Sequence, residues 1–259
     1  TLCAMITKHI VCLFLLCLPM KSLAANLDFR CLDTSTGLAD SHVSSILKDR
    51  DGFLWIGTAA GLSRYDGFRF KNFYSNPAIK SSLLSNQIES LTEDNDARIW
   101  VQTNEGYCIY NPETESFITD IAAWMKEHGM EGTPNRVFVD SRGCLWIAVN
   151  GKGCYYYNPS TRQHHLFIAD SRRGSLPTMA VTGITERGNS LIVSFENGTL
   201  VRLDGPGRRI VWTNDHLAKA NNNSRQYYST YIDSRYNYWV SNHAKAHTWV
   251  YSSEARRWF

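Results

Sequence analysis

From Asp33 onward the apolar positions fall in short runs broken by polar turns rich in Asp, Asn and Gly. The runs at 43–47, 88–91, 137–139, 181–184 and 229–232 have the length of strands. Each is followed by a polar turn and then by a second apolar run. The second runs centre on Trp55, Trp100, Trp146, Ile192 and Trp239, spaced 45, 46, 46 and 47 residues apart. A third run follows a Gly-containing turn, as at 108–110 and 155–157. A fourth closes each unit, at 68–73, 116–119, 164–167, 209–212 and 257–259. A near-constant period in the range of roughly 20–50 residues marks a solenoid or a propeller. Four short antiparallel strands per period select the propeller. Helical spacing is confined to residues 121–128, between the second and third units.

The turns have a local logic. In Asp49-Arg50-Asp51-Gly52, the Asp side chain accepts from its own backbone two residues on, and Gly takes a positive φ. Equivalent turns begin at Asp94, Asp140 and Asp233; the fourth unit has lost both this Asp and its Trp. The tryptophans read as packing residues. Blade sheets stack face to face, and burying roughly 150–250 Å² per aromatic at about 25 cal/mol per Å² contributes up to about 6 kcal/mol each.

Residues 1–25 read differently. Lys8 and His9 precede the apolar run 10–18, and Ser22-Leu23-Ala24-Ala25 offers a small-residue exit. This is the pattern of a cleaved secretory signal peptide, with a retained membrane anchor as the competing reading. The run is shorter than the roughly 20 residues of a spanning helix. The chain starts at Thr1 and Met5 reads as the natural start, so a piece of a longer product is expected. The domain expected after export spans 26–259.

Composition refines this picture only a little. The 259 residues are 43% hydrophobic and 20% charged, with a formal charge of +3. Removing Lys8 and Lys21 leaves a net of +1, which gives no electrostatic footprint for nucleic acid or an anionic membrane. Cys31, Cys108, Cys144 and Cys154 remain after the leader. They form no CxxC pair, so no zinc site, other metal site or cofactor is assigned. Cys144 and Cys154 flank one hairpin and read either as a disulfide or as buried thiols.

The stretch 49–67, D-x-x-G-x-L-W-I-G-T followed by A-x-G-L-x-R-Y-D-G, resembles the two-component-regulator propeller repeat. Thr36-Gly37-Leu38-Ala39-Asp40-Ser41-His42-Val43 resembles that family's lead-in, and Ser82-Leu83-Leu84-Ser85-Asn86-Gln87-Ile88 repeats it. The resemblance extends over 27–259 and weakens after the first repeat. It implies the periplasmic sensor region of a hybrid two-component histidine kinase of the kind found in gut Bacteroidetes. The expected fold is an all-β propeller with about five four-stranded blades, part of a larger, often seven-bladed ring. The expected role is detection of glycan fragments, signalled by phosphorelay to polysaccharide-utilisation genes. The implied partners are an oligosaccharide or other small ligand and a second copy in a homodimer. This segment would not bind nucleic acid, and it would meet the inner membrane only through parts beyond Phe259.

No catalytic residue is assigned. Glu105 and Glu196 occupy equivalent turns and are the only hint of paired carboxylates. An exported glycoside hydrolase or lyase, or a protein-interaction scaffold, are the alternative functions. Loops on a rigid scaffold are the expected place for binding. The candidates on the end that gathers the blade-to-blade connections are Asn104, Glu105, Asn150, Lys152, Arg172, Arg173, Glu196, Asn197, Asn242 and His243.

Overall fold

The computed structural model describes residues 31–170, 175–204, 209–242, 244 and 247–259. The leader expected at 1–25 lies outside them. The chain divides after Leu32, and all elements below belong to the unit Asp33–Phe259. That unit contains five four-stranded antiparallel sheets among the described residues. Blade one is β1 (Val43–Lys48), β2 (Leu54–Thr58), β3 (Gly61–Tyr65) and β4 (Phe70–Phe73). Blade two is β5 (Ile88–Glu93), β6 (Ile99–Thr103), β7 (Gly106–Asn111) and β8 (Ser116–Ile118). Blade three is β9 (Pro134–Val139), β10 (Leu145–Val149), β11 (Gly153–Asn158) and β12 (Gln163–Phe167). Blade four is β13 (Val181–Arg187), β14 (Ser190–Phe195), β15 (Leu200–Asp204) and β16 (Arg209–Asn214). Blade five is β17 (Tyr228–Ile232), β18 (Tyr238–Asn242), β19 (His247–Ser252) and β20 (Arg257–Trp258). Strand order within every sheet follows the chain, and the first strands of successive blades touch. The expected all-β propeller is therefore the fold observed. Phe68, expected to open the fourth strand of blade one, lies exposed in the turn before it.

The Asp of each polar turn does two jobs. In blade one, Asp49 Oδ1 accepts the N–H groups of Asp51 and Phe53, while Oδ2 accepts the Trp55 indole N–H at 2.7 Å. The same clasp joins Asp94 to Trp100 at 2.9 Å, Asp140 to Trp146 at 3.2 Å and Asp233 to Trp239 at 3.0 Å. The turn geometry thus fixes the indole orientation before any neighbouring blade arrives. Blade four departs from this plan. Its first hairpin closes through Gly188-Asn189, with Arg187 paired to Ser190. Without a Trp there is no indole to clasp, and the Asp turn has gone with it.

Each of the first four anchors packs on the blade that follows. Trp55 lies among Leu83, Ile99, Val101 and Tyr110 of blade two and its lead-in. Trp100 packs with Leu145, Ile147 and Tyr157 of blade three. Trp146 packs with Leu191, Val193 and Phe195 of blade four, and Ile192 with Ile232 and Tyr238 of blade five.

The lead-ins plug the blades. Asp33 caps a one-turn 3-10 helix at Thr34–Thr36, and Gly37 leaves it at φ 107°. The chain then crosses blade one, with Ala39 N–H donating to Ser63 Oγ and Leu38 buried. Leu83 and Leu176 are buried at the same position, five residues before the first residue of β5 and β13. The helix expected at 121–128 is α1 (Ile121–Glu127), capped by Asp120 accepting from Ala123 N–H. Its Trp124 stands edge-on to Trp100 with ring centres 5.0 Å apart. A second helix, α2 (His216–Ala220), was not expected; it is a single turn that buries Leu217. Cys108, Cys144 and Cys154 are buried, and no disulfide joins Cys144 to Cys154 across their hairpin; the Cys144 sulfur instead accepts the Tyr156 hydroxyl at 3.1 Å. Burial pushes the Cys108 and Cys154 thiols up to about 12.

Candidate functional site

The turns between second and third strands share one end of the blades with the blade-to-blade connections. Their shape comes from short local bonds. Thr103 Oγ1 accepts the Glu105 N–H and donates to the Gly106 carbonyl, which closes the Asn104-Glu105 turn. Asn197 Oδ1 accepts the Thr199 N–H at 3.0 Å. The connections then brace the turns. Ser85 Oγ donates to Asn104 Oδ1 at 2.7 Å, and Lys152 Nζ pairs with Glu131 at 2.5 Å. That pairing holds the Glu131 carboxyl below its usual range and the Lys152 ammonium above its own.

A cavity of about 610 Å³ opens at this end between blades three and four. Its wall is the Asn150-Gly151 turn, the stretch from Pro177 to Ala180, Glu196 and Arg225. Two of the expected binding residues, Asn150 and Glu196, therefore meet in one place. Asn104, Glu105 and Lys152 do not line it. Asn197 lies in the Glu196 turn. Asn242 is buried, with its amide bonded to Gln226 and to the Ala244 N–H. Arg172, Arg173 and His243 lie outside the described residues.

The structure adds residues that sequence reasoning missed. Arg225 reaches Glu196 at 3.3 Å from the connection before blade five. Arg136 on β9 lies over the Tyr227 ring at 4.8 Å, and its Nη1 donates to Gln102 Oε1 at 3.4 Å. Gln102 in turn donates to Glu89 Oε2 at 2.8 Å. The same Gln102 oxygen accepts the Tyr107 hydroxyl, which burial pushes up to about 12. This polar chain links blades two and three to the connection entering blade five. Little in the sequence signalled it, since Arg136 stands just before the apolar run 137–139, beside the polar Asn135.

The cavity presents a carboxylate, a guanidinium and an amide, which together donate and accept hydrogen bonds. Such a set suits a polyhydroxylated ligand. No group of three His, Cys, Asp or Glu capable of holding a metal occurs among the described residues. No described helix is long and apolar enough to cross a membrane.

The fold defines a β-propeller built from repeated four-stranded blades. Residues 37–60 match the profile of the family described as "Two component regulator propeller", so the chain carries that repeat. A histidine kinase P4 of Formosa agariphila is 35% identical over 68 residues, which is 26% of this chain and 5% of that protein. Among solved structures, the extracellular domain of the hybrid two component system BT3049 from B. thetaiotaomicron superimposes with a TM-score of 0.58 at 21% identity. The match covers 89% of this chain and 31% of that one. PorZ, a surface component of the type-IX secretion system of Porphyromonas gingivalis, superimposes at 0.53 with 12% identity, over 84% of this chain and 33% of PorZ. At these identities the two structures show a shared fold. The chain spans about a third of their length.

Proposed function

We propose that these blades form the extracytoplasmic ligand-sensing part of a hybrid two-component sensor histidine kinase, and that this segment performs no catalysis. The observation that carries the reading is the match at 37–60 to the two-component-regulator repeat, on a chain whose described residues form five blade sheets. The ligand class is an oligosaccharide or glycan fragment, taken by the loop-end cavity of Asn150, Glu196 and Arg225. Binding there bridges the blade-three turn and the connection into blade five. It would bias two arrangements of a dimeric ectodomain that a distant kinase reads as expression of polysaccharide-utilisation genes. Export to the periplasm belongs to the same proposal. So does a larger ring, in which a further blade covers Trp239 and Tyr231, both exposed on the outer face of blade five.

Calorimetric titration of the intact protein with an oligosaccharide panel tests this, with chromatography of the recovered sugars. One oligosaccharide should bind and return uncut, and Glu196→Gln and Arg225→Ala should each weaken it about tenfold. Shortened sugars in the recovered fraction would replace the sensor with a hydrolase and direct attention to the Glu105 and Glu196 carboxylates.

A further inference from the structure

Blade four is the repeat that lost its Trp, and the seam behind it is built differently. Seam one-two shows the ordinary solution. Trp55 fills the gap, stacked on Phe73 and edge-on to Tyr110. Above it, Arg64 of β3 points across the seam, and Glu115 in the turn before β8 receives it at 3.0 Å and Lys71 at 2.5 Å. The strand registers place Arg202 in blade four where Arg64 stands in blade one, since Arg64 pairs with Trp55 and Arg202 with Ile192. They also place Arg256 in blade five where Glu115 stands in blade two. Asn111 pairs with Ser116 and Ser252 with Arg257, across turns of equal length. Glu115 and Arg256 even share the left-handed backbone, at φ 49° and 51°.

The carboxylate that closes seam one-two is thus a second guanidinium in seam four-five. Arg202 and Arg256 both line a cavity of about 390 Å³, together with Trp212, Tyr238 and Tyr251. Asp204 pairs with Arg202 at 3.1 Å, while Arg256 makes no ion pair among the described residues. Ile192 is smaller than the Trp of the other repeats, and Trp212 of the outer strand β16, opposite Arg202, stands where blade one has Lys71 opposite Arg64. Trp212 and Tyr251 pack against the Ile192 cluster from the cavity side, with their rings 5.4 Å apart.

We propose that the seam between blades four and five binds a small organic anion bearing a ring. Its charge sits between Arg202 and Arg256, in the place Glu115 takes in seam one-two, and its ring lies against Trp212 and Tyr251. Carboxylate and sulfate both match the guanidinium fork, and the aromatic faces supply the apolar contact. A similar cavity of about 380 Å³ on blade one supplies the contrast, because all of its cations have carboxylate partners, whereas in the seam Arg202 has Asp204 and the Tyr238 hydroxyl but Arg256 has no carboxylate among the described residues. Arg69 pairs with Asp66, and Arg64 and Lys71 pair with Glu115. The seam cavity and the loop-end cavity share no lining residue, so their tests succeed or fail separately.

The test is calorimetric titration of the intact protein with glucuronate and with benzenesulfonate, using glucose and acetate as controls. A ring anion should bind saturably, with both controls weaker by about tenfold or more. Arg256→Glu should rebuild the internal pair seen at Arg64 and Glu115. It should lose about tenfold or more in affinity while keeping the wild-type urea midpoint, because Arg256 is exposed. Binding unchanged in R256E, glucose binding as well as glucuronate, or neither ring anion binding would each overturn the assignment.

Discussion

Trp100 and Trp239 hold the same place in their repeats and the same Asp partner, yet Trp100 is 1% exposed and Trp239 is 43% exposed. The difference is the neighbour. Blade three and α1 cover Trp100, whereas the outer face of blade five carries Trp239 beside Tyr231, which is 63% exposed. On the opposite side of the blade series, Ile46 of β1 is 67% exposed, while its register equivalent in blade two, Leu91, is buried. The strand and its turn therefore set the position and orientation of the anchor. Its burial, and with it most of its energy, comes from the next blade.

The largest effect expected from this contrast is in the anchors themselves. Trp100→Ala should cost about 3–5 kcal/mol, the range for emptying a packed aromatic site. Trp239→Ala should cost no more than about 2 kcal/mol, since only part of the ring leaves contact. Urea unfolding of the two variants measures both. Equal losses would mean that the clasp, not the neighbouring blade, carries the stability. In a longer product whose next blade covers Trp239, the two values should converge.

A smaller effect sharpens the comparison within one turn. Gly151 and Gly153 flank Lys152, and both have positive φ. A Cβ at Gly153 would stand 2.1 Å from the Phe167 carbonyl oxygen, where β11 meets the end of β12, while a Cβ at Gly151 meets nothing within 4 Å. Gly153→Ala should cost about 2–3 kcal/mol through backbone strain and displacement of β12. Gly151→Ala should cost about 1 kcal/mol from its φ alone. Thermal unfolding of the pair separates close packing from conformational preference, and equal shifts would remove packing from the account.

Much of this architecture was legible because one residue pair repeats. An Asp six residues before a Trp fixes the turn, the strand phase and the face at once, as in Asp49 and Trp55. The missing pair in blade four was equally visible. Its consequence was not, because it depends on which side chains face each other across a seam. Arg202 and Arg256 are far apart along the chain and meet only through the registers of two blades. Helix α2 escaped notice because five residues are too few to show a period. Leu176 escaped because only its position relative to β13 marks it as a plug. In the loop-end cavity, Asn150 and Glu196 were accessible from turn spacing. Arg225 was not, since a lone Arg in a polar connection carries no positional signal.

The smallest expected effect is also the most specific to the contrast, because its sign differs between the two ends. Burial raises the Asp94 carboxyl above its ordinary 3.8, outweighing the bonds from Trp100, Arg98 and Asp96. Asp233, in the same clasp but open to solvent, is held below 3.8, chiefly by the Trp239 indole N–H. Folded Asp94 therefore binds its proton more tightly than the unfolded chain does. Its contribution is full below 3.8 and is lost as pH rises through the raised value. Folded Asp233 binds its proton less tightly, so its contribution is present above 3.8 and is lost as pH falls through the depressed value. Asp94→Asn keeps the Oδ1 acceptor but turns an NH₂ toward the Trp100 N–H, at a cost of about 1–3 kcal/mol. The gap between wild type and D94N should narrow from about pH 3 to about pH 6, while the gap for Asp233→Asn should widen over the same interval. Urea midpoints at the two pH values measure both gaps. Gaps that move in the same direction would show that a covering blade does not decide how this repeated carboxylate titrates.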